Sequence, residues 1–171
     1  LAESLASVFR QPFRDFEVIV VDDGSTVDLT PALAPYATRI RVERQAPLGV
    51  AAASNRGAAL ATGDVLAFHD ADDLMEPARI TTPLAVLDHN PPLALVFGNG
   101  LKVTMDLRPI GPVIPTRHAA RLARRGLTLA ELIRRSHIYL QASLVRRTIF
   151  LELGGLPSFR AGSDWGFALR C

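Results

Sequence analysis

The sequence predicts an α/β domain with a mainly parallel central sheet flanked by helices, on three observations. Apolar, β-branched runs alternate with stretches of helical spacing through the first hundred residues, the pattern of a sheet whose faces are covered by helices. Two of these runs end in carboxylate clusters, Asp22-Asp23 and Asp70-Ala71-Asp72-Asp73. At 171 residues, 49% of them hydrophobic, the chain fills one well-cored domain and is too short for two.

Each element has a local reason. Leu1, Leu5, Val8 and Phe9 lie at helical spacing, and Gln11-Pro12 ends that helix. Phe16–Val21 reads as a strand that stops at Asp22-Asp23-Gly24-Ser25. Thr30-Pro31 reads as an N-cap followed by a first-turn proline, opening a helix to Ala37. Arg39–Glu43 alternates as a short strand, and Gly49–Ala61 is an Ala-rich helix closed by Thr62-Gly63. Val65–Phe68 is a short apolar strand, followed by a helix from Pro77 to His89 that Asn90-Pro91-Pro92 stops.

Beyond it, Leu93–Phe97 is apolar and Leu101–Met105 is its expected hairpin partner, while 106–117 is Pro-rich and irregular. Thr128-Leu129-Ala130-Glu131 is a capping box opening a helix to Ser136. Ala142–Val145 reads as a strand, and Arg147–Leu153 as a helix closed by Gly154-Gly155.

Charge is unevenly placed. Residues 1–85 hold 7 basic and 12 acidic groups, whereas 86–171 hold 12 basic and 5 acidic. The single cysteine, Cys171, excludes a disulfide framework and a zinc-thiolate cluster and favours a reducing compartment. No apolar run approaches the roughly 18 residues of a membrane span. Arg117, Arg121, Arg124 and Arg125 lie at helical spacing; they read as a solvated face, with an anionic lipid surface or acceptor phosphate as alternatives. His69, His118 and His137 read as surface or packing residues.

Asp70 and Asp72 lie two residues apart, so in extended chain their side chains point the same way. Like charges side by side repel, and a hard divalent cation, Mg2+ or Mn2+, is the species that such oxygen ligands suit. In α/β sheets ligands bind beyond the carboxyl ends of strands, which places both acidic clusters on one rim. Taken alone, Asp22-Asp23-Gly24-Ser25 is also an ordinary turn. Response-regulator receivers and haloacid-dehalogenase-type phosphatases carry acidic rims too. Both need a lysine near the end of a later strand, and the only lysine here, Lys102, lies in the expected hairpin.

A third family fits better. The strings Phe16–Thr26, Gly49–Gly57, Ala61–Asp73, Leu153-Gly154-Gly155 and Gly162–Arg170 resemble family-2 glycosyltransferases of the GT-A fold, in order and along essentially the whole chain. The resemblance implies one domain over 1–171, with a nucleotide-sugar-binding half (1–100) and an acceptor-side half (101–171). It implies a metal-dependent, inverting transfer of a sugar from a nucleotide-sugar, a UDP-sugar being favoured, to a hydroxyl of a saccharide or lipid-linked acceptor. Asp70 and Asp72 match the metal-holding residues, with Mg2+ or Mn2+ on the donor diphosphate. Asp23 matches the residue that hydrogen-bonds the nucleobase, with Asp22 beside it, and Asp164 matches the catalytic base.

No nucleic-acid partner is implied. The implied setting is cell-envelope or exopolysaccharide synthesis in the cytoplasm, with peripheral association at the inner membrane face. Four departures stand out: Ser54 replaces the usual arginine, and Ser163 the usual glutamate before Asp164. Leu156, Pro157 and Ser158 replace the usual aromatic and acidic residues after the Gly-Gly turn, and the family's first strand is missing. A strand plus turn upstream of Leu1 is therefore expected. These departures also admit the alternative of a nucleotide-sugar-binding module with impaired catalysis.

Overall fold

The computed structural model describes residues 1–159 and 161–171. Helix α1 (Ala2–Phe9) leads to strand β1 (Ile19–Asp23), a short α2 (Thr30–Leu33) and β2 (Arg41–Gln45). Helix α3 (Val50–Leu60), β3 (Val65–Ala67) and α4 (Thr81–His89) follow. Next come β4 (Leu95–Phe97), β5 (Leu101–Val103), β6 (Pro109–Pro112), α5 (Thr116–Arg125) and α6 (Leu129–Arg134). The chain closes with β7 (Ser143–Arg146), α7 (Arg147–Glu152) and α8 (Ser163–Ala168).

The pairing is mixed. β1 and β2 run parallel, in register from Ile19 opposite Arg41 to Asp23 opposite Gln45. β7 lies between β3 and β4 and runs antiparallel to both, with Val145 opposite Leu66 and Leu95. The late strand Ala142–Val145 thus enters the middle of the sheet that the early strands begin, so the two halves of the chain share one layer. β1 and β3 each pair on one side only among the described residues.

Three local expectations shift. β1 runs on through Asp22 and Asp23 rather than stopping before them, because both residues stay in register with Arg44 and Gln45. The helix expected from Pro77 starts at Thr81, four residues later, after a run of turns. β5 pairs with β6 rather than β4, whose partner among the described residues is β7. The Pro-rich segment thus supplies a strand, with its proline at the end positions that tolerate a missing N–H.

The main core joins α3, β3, β7, α7 and α8 through Ala58, Leu66, Val145, Phe150 and Phe167. A second cluster packs Val8 of α1 against Met75 and Ile80. A third packs α6 against α8 through Leu132, Ile138 and Ala168. No helix is long and apolar enough to cross a membrane among the described residues.

Candidate active site

Two carboxylates from opposite halves of the chain meet at one cavity. Asp70, just past β3, and Asp164, in the first turn of α8, both line a cavity of about 180 Å³. Its walls include Ser54 of α3, Phe68, Gln141, Leu156 and Ser163. The carriers of the two carboxylates are tied together by aromatic contacts. Phe150 lies 5.1 Å from Phe68, two residues before Asp70, and 4.9 Å from Phe167, three residues after Asp164. Phe150 is 1% exposed, so the spacing of the carboxylates rests on a packed ring and not on a solvated loop.

The Asp70 loop is pinned from two sides. On one side, Ser4, Ser7 and Gln11 recur at helical spacing along and just beyond α1, and all three are buried. Ser4 Oγ donates to the Asp70 carbonyl (3.2 Å), the Met75 N–H donates to Ser7 Oγ (2.8 Å), and Gln11 Nε2 donates to the Glu76 carbonyl (2.8 Å). On the other side, Gln141 Nε2 donates to Asp70 Oδ2 (2.5 Å). Arg79 holds that segment in turn: its Nε donates to the Gln141 carbonyl (2.9 Å) and its Nη2 to the Ser143 carbonyl (2.7 Å).

Burial pushes the Arg79 guanidinium down to about 10. Its Nη1 has no partner among the described residues, nor has His69 Nε2. Burial also lowers the His69 imidazole, opposed by the nearby Asp73 charge. The Asp73 carboxyl is raised by burial first and then by the Asp70 and Asp72 charges, the mutual repulsion expected of crowded carboxylates. Asp72 is exposed and does not line the cavity.

Asp164 sits behind Gly162, whose left-handed φ of +79° opens α8. Asp164 Oδ1 accepts the Trp165 N–H (2.8 Å), and the Trp165 indole donates to the Leu132 carbonyl (2.6 Å). Ser163 is buried, and its hydroxyl donates to the Phe159 carbonyl (3.3 Å). Asn55 explains two sequence motifs at once: its Nδ2 donates to the Leu156 carbonyl (2.9 Å) and its Oδ1 accepts the Leu156 N–H (2.7 Å). This clamps the Gly154-Gly155 turn to α3. At Gly155, φ is +69° and an added Cβ would lie 2.4 Å from Asn55 Oδ1.

The other acidic pair is held by its own turn and by β2 and the segment that follows it. Asp22 is buried; its Oδ1 accepts the Ser25 N–H (2.8 Å) and its Oδ2 pairs with Arg44 (3.3 Å). The bonds from Ser25, followed by the Arg44 charge, lower its carboxyl. Asp23 accepts from Gln45 Nε2 (2.7 Å) and the N–H groups of Leu48 (2.9 Å) and Gly49 (2.7 Å). These bonds, from Leu48 first, lower its carboxyl below the ordinary range. The turn between demands glycine: at Gly24, φ is +77° and a Cβ would lie 2.7 Å from Pro47 Cδ.

Sequence reasoning missed Gln141 and Arg79, which carry no motif, and the buried Ser4-Ser7-Gln11 stripe, whose helical spacing was readable. It placed Asp22, Asp23, Asp70, Asp72 and Asp164 in one site; of these Asp70 and Asp164 line one cavity, while Asp22, Asp23 and Asp72 do not line it. Asp70 and Asp72 offer hard carboxylate oxygens, the donor type that suits a hard divalent cation, with one Asp70 oxygen already held by Gln141. No set of three or more His, Cys, Asp or Glu side chains converges on a point among the described residues. Remaining ligands would therefore come from donor phosphate and water.

A GT-A glycosyltransferase fold is the class that this architecture defines. Staphylococcus aureus TarS, residues 1–349, superposes with a TM-score of 0.70 at 19% identity, covering 96% of this chain and 49% of that one. The mannosyltransferase PcManGT of Pyrobaculum calidifontis, solved with GDP-Man and Mn2+, superposes with a TM-score of 0.67 at 21% identity, covering 97% and 46%. The family is set by sequence: the profile described as glycosyl transferase family 2 matches residues 1–154. The chain belongs to that family. It is 32% identical over 177 aligned positions to proteins described as PGL/p-HBAD biosynthesis glycosyltransferases, in Mycobacterium bovis and Mycobacterium tuberculosis. It spans all of this chain and 64% of those relatives' length.

Proposed function

We propose that this chain carries the sugar-transfer site of a metal-dependent, inverting glycosyltransferase acting on a nucleotide-sugar. The observation that carries this reading is the cavity shared by Asp70 and Asp164. Asp164 is the general base: it takes the proton of an acceptor hydroxyl as that oxygen attacks the anomeric carbon opposite the departing diphosphate. Such base catalysis is worth roughly 10²–10⁴-fold. Asp70 and Asp72 would hold Mg2+ or Mn2+ over the donor diphosphate; PcManGT was solved with Mn2+ and GDP-Man. When bound, the cation neutralises charge on the departing diphosphate, an effect of several kcal/mol.

Asp23 serves the nucleobase. A carboxylate has about four lone-pair sites; Gln45, Leu48 and Gly49 fill three of them, which fixes the group and leaves one for a base N–H. Asp22 holds the turn beside it. The donor half is 1–100 and the acceptor half 101–171. A UDP-sugar is the favoured donor, on the resemblance and on the UDP complex of TarS. On the resemblance alone, the acceptor is a saccharide or lipid-linked hydroxyl in cell-envelope or exopolysaccharide synthesis, at the cytoplasmic membrane face.

Thermal-shift screening against UDP-, GDP- and dTDP-sugars with and without Mn2+ tests the donor half. A donor at 100 times its Kd adds about 2.7 kcal/mol, and we expect that shift to need the metal. No response to any donor in either condition refutes the reading.

A further inference from the structure

We propose that a second cavity, between the start of α5 and the segment joining α6 to β7, is a subsite for a phosphate group. The cavity holds about 160 Å³ and is lined by His118, Arg135, His137 and Tyr139. None of these belongs to the donor site described above. His137 is 6% exposed and makes no side-chain hydrogen bond among the described residues, and its ring nitrogens, which are not sealed from solvent, belong to a residue on the cavity wall. Its ring meets that of His118 edge-on, with centroids 4.5 Å apart.

The surrounding charges select an anion. Arg121 Nη2 donates to His118 Nε2 (2.9 Å), since arginine only donates. The nearby carboxylate, Glu131, is already engaged by Arg121 (2.6 Å) and by the Thr128 cap. Arg135 is exposed and has no carboxylate partner among the described residues. Helix α5 opens at Pro115, on the cavity wall, and turns the positive end of a ten-residue helix towards that side. Donors outnumber acceptors, and burial lowers the His137 imidazole, helped by the cationic groups around it. A phosphate, anionic and rich in acceptor oxygens, suits this donor set.

The position gives the subsite a use, and this step rests on the glycosyltransferase reading. Arg135, His137 and Tyr139 line the phosphate cavity, while Leu140 and Gln141 line the cavity of Asp70 and Asp164. Two residues of chain span at most about 7 Å. His137 is four residues from Gln141, a span of at most about 14 Å, so the segment that carries the phosphate cavity runs directly into the wall of the Asp164 cavity. The phosphate belongs either to a soluble phosphorylated saccharide or to a lipid phosphate.

The test is a titration of the whole chain with inorganic phosphate at constant ionic strength and without any donor, read in 1H–15N spectra of the imidazoles. We expect saturable shifts of His118 and His137 together, with a rise in the His137 pKa. Arg135→Gln, an exposed change that leaves the core intact, should weaken the affinity by about tenfold. His137→Gln should abolish saturation, with His118 still reporting a folded cavity. Absent or non-saturating shifts, or an Arg135→Gln affinity equal to wild type, overturn the proposal. So does a response to anionic phosphatidylglycerol vesicles but not to phosphate, which would assign the charge to a flat surface.

Glucose 1-phosphate and dihexanoyl phosphatidate then separate the two sources by their relative affinities, either order supporting the subsite. Because no donor is present, an inactive transferase would leave this titration intact, so the two readings fail independently.

Discussion

Replacing Asn55 by alanine tests how the active-site wall is built. The side chain makes two hydrogen bonds to Leu156, one in each direction, and Leu156 is 6% exposed. Each bond is worth about 1 kcal/mol net, and more if the freed Leu156 groups stay dry, so the loss is about 2–4 kcal/mol. With a urea m-value of about 2 kcal/mol/M, the unfolding midpoint should fall by about 1–2 M.

Gly155→Ala sharpens the test. Its Cβ would meet Asn55 Oδ1 at 2.4 Å with φ at +69°. In the wild-type background it should break the clamp and add left-handed strain of about 1–2 kcal/mol. In the Asn55→Ala background only the strain remains to be added, so the two single costs should exceed the double by the clamp itself, about 2–4 kcal/mol. Additive costs, or a midpoint shift under about 0.25 M for Asn55→Ala, would refute the clamp.

Phe150→Ala should cost about 3–5 kcal/mol in urea unfolding and lower turnover further than its folded fraction explains, because the ring spaces Asp70 from Asp164. Gln141→Leu should leave the fold intact and raise the metal concentration for half-maximal turnover by about 10–100-fold; an unchanged metal dependence would remove Gln141 as a positioning residue. Asp23 has a folded pKa below its ordinary 3.8. Its stabilising contribution is therefore complete above that value and lost as pH falls through the lower folded one. Asp23→Asn should lower stability at pH 7 and flatten the loss between pH 5 and pH 2, measured by urea midpoints across that range.

The alternation of elements, the capping box at Thr128 and the pairing of Asp70 with Asp164 were legible because each is written in local residue types or in motif order. The sheet order was less so. Strand β7 is short and its place between β3 and β4 depends on contacts with residues far away in sequence, which no local pattern encodes. The start of α4 illustrates another limit: Pro77 is permitted in a first turn, yet buried Met75 and Ile80 pack against α1, and the chain turns there before a helix begins.

At the site, the acidic residues announce themselves but their neighbours do not. Asn55 looked like part of a donor-binding string, and its hydrogen bonds show it clamping a turn. Gln141 and Arg79 act through a backbone carbonyl and one carboxylate oxygen, contacts available to many residue types. His118 and His137 carry no motif in the sequence, since only folding brings their rings together.

The most direct test of the account is donor turnover by Asp164→Asn under saturating nucleotide-sugar and Mn2+, alongside its donor affinity. The account predicts a rate lower by roughly 10²–10⁴-fold with donor affinity unchanged, because Asp164 meets the acceptor and not the nucleotide. Wild-type turnover in this variant, or a loss accounted for wholly by weaker donor binding, would contradict it.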